Sequence, residues 1–240
     1  MKKLIVITGA SSGFGEAMAK NFSEAGHPLL LLGRRLEKME ALGLDKCLCR
    51  SVDVTDYKAF ESAIREAEEK YGPTDLLVNN AGVMLLGSLE NQDPEEWQTM
   101  LNVNLIGVMN GMKIVTQAMK DRQSGTIINL SSIAGKQPFG NHAAYCASKY
   151  GVTGLTAVAR GELAPYNIRV LSVCPGAVQT ELLGHTSDQG IIDGYNEWRD
   201  GLGANTIQPD HIAQTIEFAY NLPQGVSLRE LIITDTRQDA

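Results

Sequence analysis

The chain has 240 residues, 43% of them hydrophobic, 20% charged and 6% aromatic, a length that fits one large α/β domain with ample material for a core. Lys and Arg number 21 against 28 Asp and Glu, and the formal charge of −7 excludes the broad basic surface that grips nucleic acid or anionic lipid. The longest aliphatic runs, such as Leu29 to Leu32, fall far short of the roughly 18–20 residues that span a bilayer.

Met1-Lys2-Lys3 leads into Leu4-Ile5-Val6-Ile7, which ends at Thr8-Gly9 without a small-residue cleavage site. It reads as a first strand covered on both faces, not as a signal peptide. After a glycine-rich turn, Phe14, Met18, Phe22 and Ala25 recur at helical spacing and Gly26 closes the helix. Leu29 to Leu32 predicts a second strand, Arg35 to Leu42 a helix, and a third strand ends near Val52. Asp56 to Tyr71 carries Phe60, Ala63, Ala67 and Tyr71 on one face, an amphipathic helix. Leu76-Leu77-Val78 is a fourth strand. Pro94 opens a long helical stretch, read as two helices meeting near Asn104. Thr126 to Leu130 is strand five, Ala143 to Leu163 a helix, and Arg169 to Cys174 strand six. Gly176 to Gln208, of mixed composition with several glycines, is expected to be a mobile substrate loop with short helices. Pro209 to Tyr220 is a last helix and Glu230 to Thr234 a last strand.

This alternation implies one domain over 1–240, a doubly wound parallel sheet of about seven strands with helices on both faces. In such sheets ligands bind beyond the carboxyl ends of the strands, where the strand order reverses. Cys47, Cys49, Cys146 and Cys174 show no C-x-x-C spacing, and His27, His142, His185 and His211 do not cluster with them. The expectation is reduced thiols in a cytoplasm-like compartment, with no metal site.

Thr8-Gly9-Ala10-Ser11-Ser12-Gly13-Phe14-Gly15 lies between the first strand and helix. Glycines let backbone turn tightly against a pyrophosphate, and the helix start aims free N–H groups at it. These residues resemble the T-G-x-x-x-G-x-G signature of the short-chain dehydrogenase/reductase family. Asn79-Asn80-Ala81-Gly82, Asn104, Ser132, Tyr145-x-x-x-Lys149 and Pro175-Gly176-Ala177-Val178-Gln179-Thr180 continue the match in order. The first half and the long helices also look similar to a subgroup that includes the NADPH-dependent blue fluorescent protein. The resemblance implies a Rossmann-type oxidoreductase moving hydride between a nicotinamide and a carbonyl or secondary alcohol.

An acidic residue at the end of strand two would bind a ribose 2′-hydroxyl and repel a 2′-phosphate. Here Gly33 is followed by Arg34 and Arg35, which points to NADP(H) over NAD(H). The family's frequent basic residue before the middle glycine is replaced by Ser12. By resemblance Asp53 and Val54 contact the adenine, with Thr55 or Asp56 left to cap the following helix. Gly9, Ser11, Ser12, Gly13, Phe14, Gly15, Asn80, Ala81 and Gly82 form the phosphate and ribose cradle. Pro175, Gly176, Val178 and Thr180 fix the nicotinamide amide and diphosphate.

Tyr145 and Lys149 lie one helical turn apart and project from one face. A phenol titrates near pH 10, and a neighbouring ammonium together with the positive nicotinamide of the oxidised cofactor is expected to bring that value down. The resemblance makes Tyr145 the acid–base group, Ser132 the partner of the reacting oxygen (Ser131 facing away), and Lys149 also a ribose ligand. It assigns Asn104 a water that links Lys149 to solvent. Met84, Gln137, His142 and His185 are candidates for the substrate pocket, each with a structural reading of comparable weight. No arginine clamp for a substrate anion is evident. Rival readings are a dehydrogenase of a small hydroxy acid or β-hydroxy amino acid, and an NADPH-binding sensor with little turnover. The long helices, roughly Glu95 to Gln123 and Ala143 to Leu163, imply a homodimer or homotetramer by resemblance; no nucleic-acid or membrane partner is expected.

Overall fold

Seven strands form one parallel sheet in the computed structural model, which describes residues 2–178, 180–202 and 207–238. The strands are Leu4–Thr8 (β1), Leu29–Gly33 (β2), Cys47–Ser51 (β3), Thr74–Asn79 (β4), Gly125–Leu130 (β5), Ile168–Pro175 (β6) and Glu230–Ile233 (β7). The helices are Gly13–Glu24 (α1), Leu36–Glu40 (α2), Tyr57–Tyr71 (α3), Pro94–Leu101 (α4), Gly107–Asp121 (α5), Ala143–Leu163 (α6), Gln189–Gly201 (α7) and Pro209–Asn221 (α8). The order across the sheet is β3-β2-β1-β4-β5-β6-β7. Chain progression therefore reverses between β1 and β4, and that crevice is where such a sheet takes a ligand.

Every residue of β1, β2, β4, β5 and β6 is buried, and their side chains alternate between two cores. Leu4, Val6, Leu30, Leu32, Leu77, Ile127 and Val170 face α3, α5 and α6, meeting Phe60, Ile64, Met112 and Val152. Ile5, Ile7, Leu29, Leu31, Leu76, Ile128 and Leu171 face α1, α2 and α8, meeting Met18, Phe22, Met39 and Ile216. The period of two along each strand sorts one apolar run into two layers, which is why the runs show no polar interruption.

Local chemistry sets the boundaries. The Asp56 carboxylate accepts from the Ala59 N–H to start α3, and Asp93 accepts from Glu95 N–H beside Pro94 at the start of α4. Between α4 and α5 the chain makes a π turn, Asn102–Ile106, where Gly107 N–H donates to Asn102 C=O. The stretch 176–208 holds a 3-10 turn at Glu181–His185 and then α7, whose start Asp188 caps at Ile191 N–H. Gln179 of the Pro-Gly segment lies outside the described residues. Among the described residues, no helix is long and apolar enough to cross a membrane.

Helix α5 sits unusually close to the sheet at Gly111. A Cβ there would lie 2.4 Å from Asn79 Oδ1 and 3.1 Å from the Phe60 ring. Asn79 is not free to yield, because its Nδ2 donates to Asn129 Oδ1 at 2.9 Å and Asn129 Nδ2 donates to Thr156 Oγ1 at 2.9 Å. Gly111→Ala is expected to lower stability by about 1–3 kcal/mol through overpacking, read as a lower midpoint of urea unfolding.

Candidate active site

The carboxyl ends of β1, β4, β5 and β6 open into a cleft of about 600 Å³. Its floor is the glycine turn after β1. Gly9 has φ +66° and a Cβ on it would lie 2.8 Å from the Ala81 Cα, while Gly13 has φ +55°. Gly15 does not line the cleft; its missing Cβ lets the start of α1 press on the turn, 2.2 Å from Gly9 O. Across the switch point, Thr8 Oγ1 accepts from Asn80 N–H at 2.9 Å and Ala81 N–H at 3.0 Å, and Asn80 Nδ2 donates to Thr8 O at 2.9 Å. These bonds hold the Asn80-Ala81-Gly82 turn against the glycines and leave a backbone-lined trough.

One end of the cleft is basic. Arg34 and Arg35 line it directly after Gly33, with Asp53 and Val54 beside them. The Arg35 fork donates to Ser11 Oγ at 3.1 Å and Ser12 Oγ at 2.8 Å, and pairs with Glu181 at 2.7 Å. The positive charge missing from position 12 is thereby delivered onto the turn from strand β2. Lys38 also pairs with Glu181, at 3.0 Å, and the two cations hold the Glu181 carboxyl well below its usual range. Asp53 Oδ1 accepts from Thr55 N–H and hydroxyl, so Asp56 is the α3 cap and Asp53 braces the bend before it.

At the other end, Ser132, Tyr145 and Lys149 converge. The Ser132 hydroxyl accepts from Ala134 N–H at 3.1 Å and acts on the Tyr145 phenol from nearby, and Lys149 Nζ lies 5.7 Å from the Tyr145 ring centre. Tyr145 and Lys149 are each 5% exposed. Burial outweighs every other influence: it pushes the Tyr145 phenol up, with Ser132 pulling the other way, and pulls the Lys149 ammonium down to about 8. Among the chain's own groups, burial of the phenol thus outweighs Lys149. Desolvation opposes charge on both groups, and the Lys149 ammonium instead donates to Leu130 C=O at 2.9 Å.

The neighbouring residues divide between the cleft and the fold. Ser131, as expected, does not serve the cleft with its hydroxyl, which bonds Lys149 C=O at 3.0 Å and Thr153 Oγ1 at 3.0 Å. Asn104 sits in the π turn, and its side chain is committed to structure: Oδ1 accepts from Val83 N–H at 2.8 Å, and Nδ2 donates to Val83 C=O and Ser148 Oγ. Of the pocket candidates, Met84 and His142 line the substrate end, whereas Gln137 is not among the residues lining the cleft. His185 lines the cleft but feels the charges of Arg34 and Arg35, which puts it at the basic end. Pro175, Gly176, Val178 and Thr180 line the wall between the two ends.

Sequence reasoning passed over Phe139, Tyr195, Trp198 and Arg199, all of which line the substrate end. Arg199 there corrects the view that no arginine stands near the site. The available signal was spacing: Gly190, Ile191, Gly194, Tyr195, Trp198 and Arg199 repeat at one helical stripe, and that stripe of α7 faces the cleft.

The family profile described as short chain dehydrogenase matches residues 3–190. An uncharacterized oxidoreductase of Staphylococcus saprophyticus is 40% identical over 98% of this chain and 97% of its own length. The trans-4-hydroxycyclohexanecarboxylate dehydrogenase of Sinomonas cyclohexanicum is 42% identical over 85% of this chain and 82% of its own. Among solved structures, the closed form of a serine dehydrogenase complexed with NADP+ superposes with a TM-score of 0.90 at 28% identity, covering 99% of this chain and 96% of that one.

Proposed function

The chain belongs to the short-chain dehydrogenase family, and from that premise we propose an NADP(H)-dependent oxidoreductase that interconverts a carbonyl compound and a secondary alcohol, with Tyr145 as the acid–base group. The observation that carries the reading is the meeting of half-buried Ser132 with buried Tyr145 and Lys149 at one end of a cleft whose other end is basic. A protein that only sensed the dinucleotide would need no buried proton donor. The relative from Sinomonas cyclohexanicum is named for a cyclic secondary alcohol, and the NADP+ of the serine dehydrogenase structure agrees with the charge pattern here.

The residues present fit such a cofactor. A Cβ on Gly9 would strike the Ala81 backbone and one on Gly13 would meet Thr180, so the turn stays backbone-lined where a diphosphate would rest, and Gly33 puts no carboxylate where a 2′-phosphate would lie. Arg34 and Arg35 would hold that phosphate, Asp53 and Val54 the adenine, Tyr145 and Lys149 the nicotinamide ribose, and Val178 and Thr180 the carboxamide and diphosphate. When bound, the nicotinamide supplies or accepts the hydride.

The chain's own part is proton handling and positioning. Burial keeps the Tyr145 phenol protonated at neutral pH, the form that donates to a carbonyl oxygen during reduction. Ser132, at the same end of the cleft as the phenol, offers a second hydrogen bond to the reacting oxygen. The Lys149 ammonium, held at Leu130 C=O, supplies positive charge in a low-dielectric site as the phenol gives up its proton. Burial of His142 lowers its basicity, so it presents a neutral ring to the substrate. Asn104 is a positioning residue: it fastens the Val83 backbone, and hence the loop after β4, to α6 through Ser148.

Tyr145→Phe keeps the ring and removes the proton donor, so kcat for carbonyl reduction should drop by about 10²–10⁴-fold while NADPH affinity, read by fluorescence titration, falls by no more than about tenfold for the lost ribose contact; retention of most turnover would reject the assignment. With pH, reduction should hold steady through neutrality. It should decline above a break at about 8 or higher as Lys149 loses its charge, and Lys149→Met should abolish that break. For the cofactor, kcat/KM with NADPH should exceed that with NADH by about tenfold or more, and Arg35→Leu should narrow the ratio; a wild-type ratio near one would refute the 2′-phosphate site.

A further inference from the structure

The cleft's substrate end carries more chemistry than proton transfer requires. Phe139, His142, Tyr195 and Trp198 form a closed circuit of ring contacts. Centroid separations are 5.7 Å for Phe139–His142, 6.1 Å for His142–Tyr195, 5.4 Å for Tyr195–Trp198 and 6.3 Å for Trp198–Phe139. The circuit joins the reaction centre through His142–Tyr145 at 6.2 Å. Yet Trp198 remains 41% exposed, a large aromatic surface at a cleft mouth that no other described residue covers. The rings meet at interplanar angles of 33° to 62° and line the mouth with a faceted apolar surface, which suits a compact rigid ring over a flexible chain because a rigid ring loses little freedom on binding.

The charges sort the possible ligands. Aromatic walls also attract cations, so charge must decide. Among the described residues lining the cleft, the carboxylates are Asp53 and Glu181. Both serve the basic end, Asp53 bonded to Thr55 and Glu181 to Arg35 and Lys38. At the substrate end stand Lys149 and Arg199. A cationic substrate would meet two positive charges and no negative one. Arg199 is one helical turn from Tyr195, lies in the wall, and its side chain is 19% exposed. Its bonds to Asp200, at 3.2 and 3.3 Å, engage Nε and one terminal nitrogen with an adjacent carboxylate that is 60% exposed. A water-exposed pair of neighbours holds weakly, so a substrate carboxylate can take the guanidinium in its place.

We propose that the substrate is a carboxylate-bearing cyclic ketone, or the corresponding secondary alcohol, with its ring on the Phe139–His142–Tyr195–Trp198 wall and its carboxylate on Arg199. This deepens the oxidoreductase reading above and rests on it. Arg199 then sets specificity by charge, and Trp198 sets it by shape. The transformation stays balanced: a hydride supplied by NADPH, which becomes NADP+, and a proton from Tyr145 convert C=O to CH–OH, and the carboxylate is unchanged.

The test compares kcat/KM at saturating NADPH for 4-oxocyclohexanecarboxylate, its methyl ester and the open-chain 5-oxohexanoate, with wild type, Arg199→Gln, Arg199→Lys and Trp198→Ala. Wild type should prefer the acid over the ester by about tenfold or more, chiefly through KM. Arg199→Gln should collapse that ratio toward one, and Arg199→Lys should recover part of it. Trp198→Ala should lower the preference for the cyclic over the open-chain acid. Ratios taken within one protein sample are insensitive to how much of a variant folds, and the wild-type ratios stand without any variant. Reduction of all three ketones with no preference for the acid overturns the anionic-substrate inference alone, as does an acid preference that survives in Arg199→Gln. NADPH binding with no ketone reduced, here or in a wider carbonyl panel, overturns the oxidoreductase reading and this inference with it.

Discussion

The site depends on holding an ammonium out of water. Lys149 is 5% exposed, and an unpartnered charge in that position would be costly. The end of β5 makes it tolerable from both sides: Leu130 C=O accepts from Lys149 Nζ at 2.9 Å, while Ser131 Oγ donates to the backbone C=O of Lys149 at 3.0 Å. The strand therefore fixes the head and the root of one side chain, and with it the rotation of α6 that sets Tyr145. The next turn cooperates, because a Cβ on Gly135 would fall 2.5 Å from Ser131 Oγ and 2.7 Å from Lys149 O. The same low-dielectric packing pushes the phenol up and the ammonium down. The cofactor-free protein thus has a protonated phenol and an amine near its titration point at neutral to mildly alkaline pH.

Much of this was legible from the chain. A continuous run such as Leu29 to Leu32 has no reason to exist on a surface, so it announces a strand covered on both sides, and the two cores bear out that logic residue by residue. The meeting of two helices near Asn104 was readable as a break, and it is a π turn. The glycine turn could be read because positive φ and close backbone approach admit almost no other residue at Gly9. The seven-stranded parallel architecture followed from the alternation of short apolar runs with helical ones.

What escaped the sequence depends on neighbours distant in the chain. Burial of Tyr145 involves Ser132, Tyr195 and the loop after β4, so the direction in which its phenol shifts cannot be read from the Tyr145–Lys149 spacing. Arg35 was visible as a charge but not as a replacement for the missing cation at Ser12; that role needs the end of β2 to lie beside the turn after β1. Helix α7 was hidden for another reason. Its inward stripe mixes Gly, Ile, Tyr, Trp and Arg, so it gives no clean apolar period, because it faces a cleft and not a core. Gln137 shows the converse: nearness in sequence to Tyr145 did not bring it to the cleft.

One stretch of chain serves both ends of the cleft, and this bears on how the two ends communicate. From Pro175 at the end of β6 the chain crosses the middle wall, reaches the basic end at Glu181, and returns along α7 to the substrate end at Tyr195 to Arg199. Glu181 is tied to Arg35 and Lys38 across a gap of more than 140 positions in sequence. An anion competing for Arg35 therefore acts on the same short segment that carries the aromatic wall. The linkage is one of chain connectivity: thirteen residues of α7 follow the Glu181 turn, joined by Thr186, whose hydroxyl donates to Met84 C=O and accepts from Leu86 N–H. Thr186 thus anchors the segment midway to the loop after β4, the same loop that Asn104 fastens to α6. One segment carries both the Glu181 carboxylate that pairs with Arg35 and Lys38 and the rings of α7, and Thr186 pins it midway to the loop after β4.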